Sequence, residues 1–437
     1  MSIVVIGLGK TGVSCVRHLA RRNVAVRVTD SRPAPPGLAA LGDLATRVEL
    51  RLGGFDESVL DGASQVLLSP GVSPQEPIVG AARRRGIEVV GDVELFAREA
   101  RAPTIAVTGT NGKSTVTSLV AHLAAVAGRR VLAGGNLGEP ALDLLARPVP
   151  DLYVLELSSF QLETTESLAP CAATVLNLSP DHLDRYASLE DYAAAKARIF
   201  RHAAAAVLNA DDPRVLAMRP GRAAVTTFSV RRADADFALA GDVLVRRGTP
   251  LLAQSRLKIA GRHNVANALA ALALGEAAGL ELDAMTRALE SFAGLPHRSE
   301  WIADVDGVRY VDDSKGTNVG ATLAAVEGSD RPLVMILGGD GKGQHFAPLA
   351  AAFRGRVRAA VLIGRDAPAI AAAIGCLCPI ERAASMPEAV AAAARLARSG
   401  DAVLLSPACA SFDMFRDYAA RGEAFAAAVR ALQRETA

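Results

Sequence analysis

Short unbroken apolar runs, each closed by glycine or another turn residue, recur along the chain with stretches of helical period between them. Ser2–Ile6 is such a run, the turn Gly7-Leu-Gly-Lys-Thr-Gly12 follows, and the pattern predicts a helix over Val13–Arg21 and a second strand over Val24–Asp30. Further strands are expected at Gln65–Ser69 and Ile87–Val90. Strands alternating with helices imply a parallel α/β sheet.

The alternation restarts twice. Thr104–Thr108 opens a second series that continues through Leu152–Glu156, Ala173–Asn177 and Ala205–Asn209, and the turn Gly294-Leu-Pro296 marks its end. A third series runs through Leu333–Leu337, Ala359–Ile363 and Ala402–Leu405. At 437 residues the chain exceeds one ordinary core and suggests about three domains. The expected division is 1–92, 93–295 and 296–437, each an α/β unit on a mainly parallel sheet.

Composition narrows the function classes. Half the residues are hydrophobic and 22% charged, and Lys plus Arg at 48 against Asp plus Glu at 46 leaves a net charge of +2. Such a balance gives no pull toward nucleic acid or an anionic membrane, so small-molecule partners are expected. Ala268–Leu280 comes nearest to a membrane span but is interrupted by Gly275 and Glu276. The five scattered cysteines read as reduced thiols of a cytoplasmic protein.

The densest chemistry lies where the Thr104–Thr108 strand meets Gly109-Thr-Asn-Gly-Lys-Ser-Thr115 and a helix. Gly109 and Gly112 let the backbone turn its N–H groups of Thr110 and Asn111 toward an anion, Lys113 adds a full positive charge, and Ser114 or Thr115 can hold Mg²⁺. This is a phosphate cradle, although the literal P-loop pattern would need glycine where Val107 stands. Glu156 closes one central strand and Asp181-His182 follow another, and in an open parallel sheet these strand ends share one crevice with the cradle. Glu156, the Ser114 hydroxyl and nucleotide phosphates form a credible Mg²⁺ site, with His182 beside it.

Ser188-Leu-Glu-Asp191 reads as a helix start, and in that helix Lys196 shares the apolar face of Tyr192 and Ile199. A partly buried amine with a lowered pKa can react with CO₂ to become an anionic carbamate; a lysine snorkelling past its neighbours is the plain alternative. The turn Gly7–Gly12 with Asp30 at the next strand end matches a dinucleotide fingerprint, yet a UDP-sugar offers the same diphosphate and hydroxyls. His263-Asn-Val-Ala-Asn267 and Pro296-His297-Arg298 are polar clusters at a helix start and a domain junction, while Trp301 reads as a packing residue.

Taken together, Gly109–Thr115, Glu156-Leu-Ser-Ser-Phe-Gln-Leu-Glu163, Asn177 with Asp181-His-Leu-Asp184, Lys196, Gly261-Arg-His-Asn264 with Asn267, and Pro296-His-Arg298 resemble the Mur ligases of peptidoglycan synthesis over the whole chain. The stretches Asp312–Asn318, Gly338–Gly343 and Leu405–Asp413 are similar to the branch of the family that adds D-glutamate. The resemblance implies a Rossmann-like UDP-binding domain, a P-loop-type ATPase domain and a Rossmann-like domain that receives the amino acid. It implies an ATP-dependent ligase acting on UDP-N-acetylmuramoyl-L-alanine and D-glutamate through an acyl phosphate, monomeric, with no nucleic acid and no membrane insertion. By position, Lys10, Thr11, Asp30, Ser31, Arg32, Ser69 and Gly71 would hold the UDP part and Asn136 would reach the same substrate. Lys113, Ser114, Glu156, His182 and carbamylated Lys196 would handle phosphates and Mg²⁺, and Asn264, Asn267 and Arg298 would lie near the nucleotide. Lys315, Thr317, Lys342, Ser411 and Tyr418 would receive D-glutamate, with His182 or His297 as general base. A related ligase using L-glutamate and, from the first block alone, a nicotinamide-dependent dehydrogenase are the alternatives.

Overall fold

The computed structural model describes residues 2–182, 185–259 and 261–436. The first sheet contains β1 (Ser2–Ile6), β2 (Ala25–Asp30), β3 (Glu49–Leu52), β4 (Ala63–Leu68) and β5 (Glu88–Val90), all parallel, in the order 3-2-1-4-5. The strand order reverses at β1, so the glycine turn after it opens on the switch point where doubly wound sheets bind ligands. The helix there begins at Lys10, three residues before the expected start, and runs to Arg21. Gly12 therefore lies inside the helix: a Cβ on it would sit 2.1 Å from the Gly7 carbonyl oxygen, so close helix-to-turn packing explains the glycine.

The central sheet has nine strands: β6 (Thr104–Thr108), β7 (Val131–Gly135), β8 (Leu152–Glu156), β9 (Ala172–Val175), β10 (Ala205–Asn209), β11 (Ala224–Ser229), β12 (Phe237–Ala240), β13 (Val243–Arg246) and β14 (Thr249–Ala253). Their order is 14-13-12-11-10-9-6-8-7, and only the pairs β12–β13 and β13–β14 are antiparallel. β6 lies between β9 and β8, with Val107 opposite Glu156 and Thr108 opposite Val175, so three functional loops leave the sheet side by side. The helix Arg262–Ala277 packs on one face of this sheet and is buried over most of its length, as a helix apolar on nearly all sides must be.

The third sheet comprises β15 (Glu300–Val305), β16 (Val308–Asp312), β17 (Leu333–Gly338), β18 (Val357–Ile363), β19 (Ile380–Arg382) and β20 (Ala402–Leu405) in the order 15-16-20-17-18-19. It is parallel apart from the β15–β16 hairpin. Trp301 does not pack in the core: it is 62% exposed on the edge strand β15 and donates its indole N–H to Asp304 at 3.1 Å. Among the described residues the cysteines are free, and no helix is long and apolar enough to cross a membrane.

One apolar core runs through the first two sheets, joining Val5 and Val16 to Ala106 and Tyr153. Phe96, on the helix Asp92–Glu99 that leads out of the first sheet, meets the Tyr153 ring edge-on at 5.1 Å. The third sheet has separate cores on its two faces. Its link to the central sheet at the phosphate loop is chiefly polar.

Candidate active site

The loop after β6 is a cradle held open from both sides. Gly112 caps the helix Lys113–Val126 with φ +83°, a left-handed conformation that favours glycine, and a Cβ there would lie 2.6 Å from Asn267 Oδ1. The Asn177 side chain clamps the loop, accepting from the Asn111 backbone N–H at 2.8 Å and donating to the Asn111 carbonyl at 3.0 Å. Lys113 Nζ folds back onto the carbonyls of Gly109 (3.0 Å) and Thr110 (2.8 Å). Burial lowers the Lys113 pKa, with Glu156 opposing and Arg298 adding to the effect. Arg298 reaches across from the domain junction and donates to Ser114 Oγ at 2.7 Å.

Glu156, at the end of β8, accepts from Asn136 Nδ2 through Oε1 at 2.6 Å, whereas its Oε2 is buried without a hydrogen-bond partner. An orphaned carboxylate oxygen lining the same cleft as the Ser114 hydroxyl fits a hard divalent cation that prefers oxygen ligands. Ser188 caps the helix Leu189–Ala197, accepting from the Asp191 N–H at 3.1 Å. That start directs Tyr192 and Lys196 inward. Lys196 is 1% exposed, donates to the Gly109 carbonyl at 2.9 Å and lies 4.5 Å from the Tyr192 ring centre. Burial holds its pKa well below the usual lysine value, and the neighbouring Lys113 lowers it further. His182 stands edge-on to Phe160 at 4.8 Å, and the Arg185 guanidinium lies 4.1 Å from the Phe160 ring centre. Leu183 and Asp184 of the same sequence motif lie outside the described residues.

Loops after β16, β17 and β20 bring further cations. Lys315 Nζ sits 4.0 Å over the Tyr418 ring, and its pKa is lowered to about 8 by burial, then by Arg298 and Lys113. Lys342 lies 5.9 Å from the ring of Phe412, which is 68% exposed, next to buried Ser411. Arg421 is fully buried beneath them and donates to Ser314 Oγ at 2.9 Å, to the Ser314 carbonyl at 2.8 Å and to the Cys409 carbonyl at 3.1 Å.

Two connected clefts open on the cradle. One, of about 910 Å³, is lined by Thr110, Asn111, Gly112, Lys113, Ser114, Asn136, Glu156, His182, Lys196, Arg298, Lys315, Thr317, Lys342, Ser411 and Tyr418. The other, of about 1110 Å³, holds Thr115, Asn264 and Asn267 and shares Asn111, Gly112, Arg298 and Lys315 with the first. His297 lines neither of these two clefts. Its Nδ1 is 2.7 Å from Asp312 Oδ2, its backbone N–H donates to Glu300 at 2.8 Å, and this trio clasps the junction between the second and third sheets.

Lys10, Thr11, Asp30, Ser31, Arg32, Ser69 and Gly71 line neither of these clefts and lie around the glycine turn of the first sheet. Asp30 is already engaged: it accepts from the Leu8 N–H at 2.7 Å and from the Arg32 side chain at 2.8 and 2.9 Å, which together hold its pKa at about 2. Ser69 Oγ donates to the Gly7 carbonyl at 2.6 Å. Lys10 Nζ donates to the Gly138 carbonyl beside Asn136, tying this turn to the central domain. Among the lining residues not predicted as site members are Asn318 and Phe412, although both stand in stretches whose density of polar and small residues marks a loop at a strand end.

Three family models cover the chain in succession: Mur ligase MurD-like N-terminal domain over residues 1–91, Mur ligase middle domain over 107–275, and Mur ligase glutamate ligase domain over 297–409. The chain belongs to the Mur ligase family. It is 56% identical to the UDP-N-acetylmuramoylalanine–D-glutamate ligase of Nitrosococcus oceani over 434 residues, 98% of this chain and 96% of that protein. It is 50% identical to the enzyme of that name from Pseudomonas aeruginosa, with 98% of each chain covered. Among solved structures, a pseudomurein peptide ligase type C from Methanothermus fervidus has the same fold at a TM-score of 0.64 and 19% identity, with 99% of each chain covered. The UDP-N-acetylmuramate–alanine ligase of Thermotoga maritima gives a TM-score of 0.62 at 20% identity, covering 99% of this chain and 100% of that one.

Proposed function

We propose that this chain is an ATP-dependent amide ligase that joins D-glutamate to UDP-N-acetylmuramoyl-L-alanine, a step of peptidoglycan precursor synthesis, as a cytoplasmic monomer. The observation that carries the site assignment is the convergence of the phosphate loop, the orphaned Glu156 oxygen, the buried Lys196 amine and four cations, Lys113, Arg298, Lys315 and Lys342, on one cleft. These four cations outnumber the carboxylates of the same cleft, Glu156, Asp181 and Asp417, so the cleft suits anionic ligands. The three reactants, a triphosphate, a carboxylate and a dicarboxylic amino acid, are such ligands.

In this reading the turn Gly7–Gly12 with Lys10, Thr11, Asp30, Ser31, Arg32, Ser69 and Gly71 binds the UDP part. Asn136 contacts the acceptor where it enters the central cleft. The acceptor carboxylate attacks the γ-phosphorus of ATP, a P–O bond forms, the bond to ADP breaks, and an acyl phosphate results. The cradle N–H groups and Lys113, released from its own loop carbonyls, neutralise the developing charge, so the work of the protein is positioning and electrostatics. Ser114, Glu156, His182 and Lys196 would hold magnesium, the last after its neutral amine adds CO₂ to give a carbamate. A bound magnesium ion supplies further charge neutralisation at the transferring phosphoryl group. Asn264, Asn267 and Arg298 hold the nucleotide on the far side of the cradle.

Lys315, Thr317, Lys342, Ser411 and the backbone at Tyr418 receive the two carboxylates of D-glutamate. Its amine attacks the acyl carbon once it has lost a proton, the C–O bond to phosphate breaks, and the amide forms. Of the two candidate bases, His182 lines the cleft and His297 does not, so His182 takes that proton only in a state in which magnesium does not hold its ring nitrogen. The direct test is phosphate release with ATP, UDP-N-acetylmuramoyl-L-alanine and each glutamate enantiomer. Release confined to D-glutamate is expected; equal or preferred use of L-glutamate refutes the proposal.

A further inference from the structure

The third sheet has its own apolar cores, yet one of its side chains touches the phosphate loop directly. Asn318 and Asn111 face each other in a reciprocal amide pair, with Asn318 Nδ2 donating to Asn111 Oδ1 at 3.2 Å and Asn111 Nδ2 donating to Asn318 Oδ1 at 3.4 Å. The same Asn318 Nδ2 lies 3.4 Å from Asp181 Oδ2. Resting on the ligase reading above, we infer that Asn318 is a positioning residue that transmits the state of the phosphate loop to the amino-acid pocket.

Chemistry at the helix start singles out asparagine. Asn318 is the N-cap of the helix Val319–Glu327, and its Oδ1 accepts from the Ala321 N–H at 2.8 Å. Serine and aspartate cap about equally well, but only the amide retains N–H donors once its oxygen is used. The cap also fixes which way the amide points, and so aims Nδ2 at the loop. On the loop side, Asn111 is held by Asn177 through both its N–H and its carbonyl. On the other side, Lys315 and Thr317 precede Asn318 in a tight turn, with the Thr317 N–H on the Lys315 carbonyl at 2.8 Å and the Lys315 N–H on the His297 carbonyl at 3.1 Å. Asn318 cannot shift without carrying Thr317 and Lys315, which line the same cleft. A phosphate that reorders Asn111 therefore resets the cations that meet the amino acid.

The test separates capping from communication. D-glutamate affinity is measured by calorimetry on the full-length enzyme, saturated with UDP-N-acetylmuramoyl-L-alanine, with and without a non-hydrolysable ATP analogue and Mg²⁺. The wild type is expected to bind D-glutamate more tightly with the analogue. Asn318→Ser and Asn318→Asp, which keep the cap, are expected to lose about 5- to 30-fold of that enhancement, the effect of one or two hydrogen bonds. Their affinity for the analogue alone should stay within about twofold, because coupling is a property of the pair of ligands. Asn111→Ala and Asn318→Ala should be non-additive when combined. Unchanged enhancement in Asn318→Ser, no enhancement in the wild type, or additive effects would overturn the inference. A wild type that does not use D-glutamate refutes the ligase reading instead. Hydrogen exchange then decides this one: the analogue should slow exchange in the helix Val319–Glu327 of the wild type but not of Asn318→Ser, and equal slowing in both refutes it.

Discussion

Lys196 places an amine where water does not reach, with the Gly109 carbonyl 2.9 Å away and the Tyr192 ring below it. Because burial and Lys113 hold its folded pKa well below the lysine value, the folded chain gives up this proton at a lower pH than the unfolded chain does. Stability therefore rises with pH between the lowered folded pKa and the unfolded lysine value, and this residue costs stability throughout neutral pH. Lys196→Met, of similar length and without the charge, should be more stable than the wild type at pH 7 by about 1–3 kcal/mol, a gain that shrinks toward pH 10. Its turnover should be lost. Lys196→Arg should also be inactive, since arginine stays protonated and forms no carbamate. Melting curves at several pH values check the first claim; a midpoint below that of the wild type at pH 7 contradicts it. Partial recovery of Lys196→Ala by a short carboxylate checks the second.

At the scale of elements, local propensity and tertiary packing pull in opposite directions on the C-terminal helix Tyr418–Thr436. Alanine in place of a helical glycine gains about 1 kcal/mol of intrinsic propensity. At Gly422, however, a Cβ would sit 2.2 Å from His297 Nδ1 and 2.5 Å from Asp312 Oδ2, the clasp that holds the domain junction. Overpacking costs about 1–3 kcal/mol, so the clash outweighs the propensity. Gly422→Ala is expected to lower the melting midpoint and to raise the KM for D-glutamate, since Tyr418 and the Lys315 loop depend on that clasp. Gly80, on the helix Pro77–Arg84, is the control: a Cβ there meets only the flexible tip of Arg84 at 3.2 Å, and Gly80→Ala should leave stability equal or raised. If both variants are stabilised, the clasp at Gly422 has room to relax.

For the molecule as a whole, the arrangement of cores decides which parts can move. The first two sheets share apolar contacts across their boundary, while the third approaches through polar groups, among them Arg298 on Ser114 and Asn318 on Asn111. Cations from both sides of that boundary lower one another's pKa, and that of Lys315 is brought to about 8, chiefly by burial. Its positive charge is present below about pH 8 and is lost above. Glutarate, which carries both carboxylates of glutamate and no amine, should inhibit equally from pH 6 to 7.5. Above pH 8 its inhibition constant should rise, approaching about tenfold per pH unit if one proton is required for binding. Lys315→Arg should flatten the profile. A wild-type inhibition constant constant to pH 9.5 would show that Lys315 does not bind the dicarboxylate.

The sequence alone determined what neighbouring residues decide among themselves. The apolar runs of β1, β6, β8 and β20, the glycine cradle before Lys113, the Ser188 cap and the inward face of Lys196 all depend on strand or helix period and on turn chemistry within a few residues. Strands without a long apolar run, such as Phe237–Ala240 and Val243–Arg246, were not visible in that pattern, because their pairing rather than their composition defines them. Only the tertiary structure decided that Gly12 serves packing inside a helix, that Trp301 faces solvent on an edge strand, and that His297 clasps Asp312 outside both clefts. It also decided that Asn318 meets Asn111 across a separation of 207 residues. Such contacts are set by how separate cores dock, and no periodicity in a single chain segment encodes the distance between two strand-end loops in different sheets.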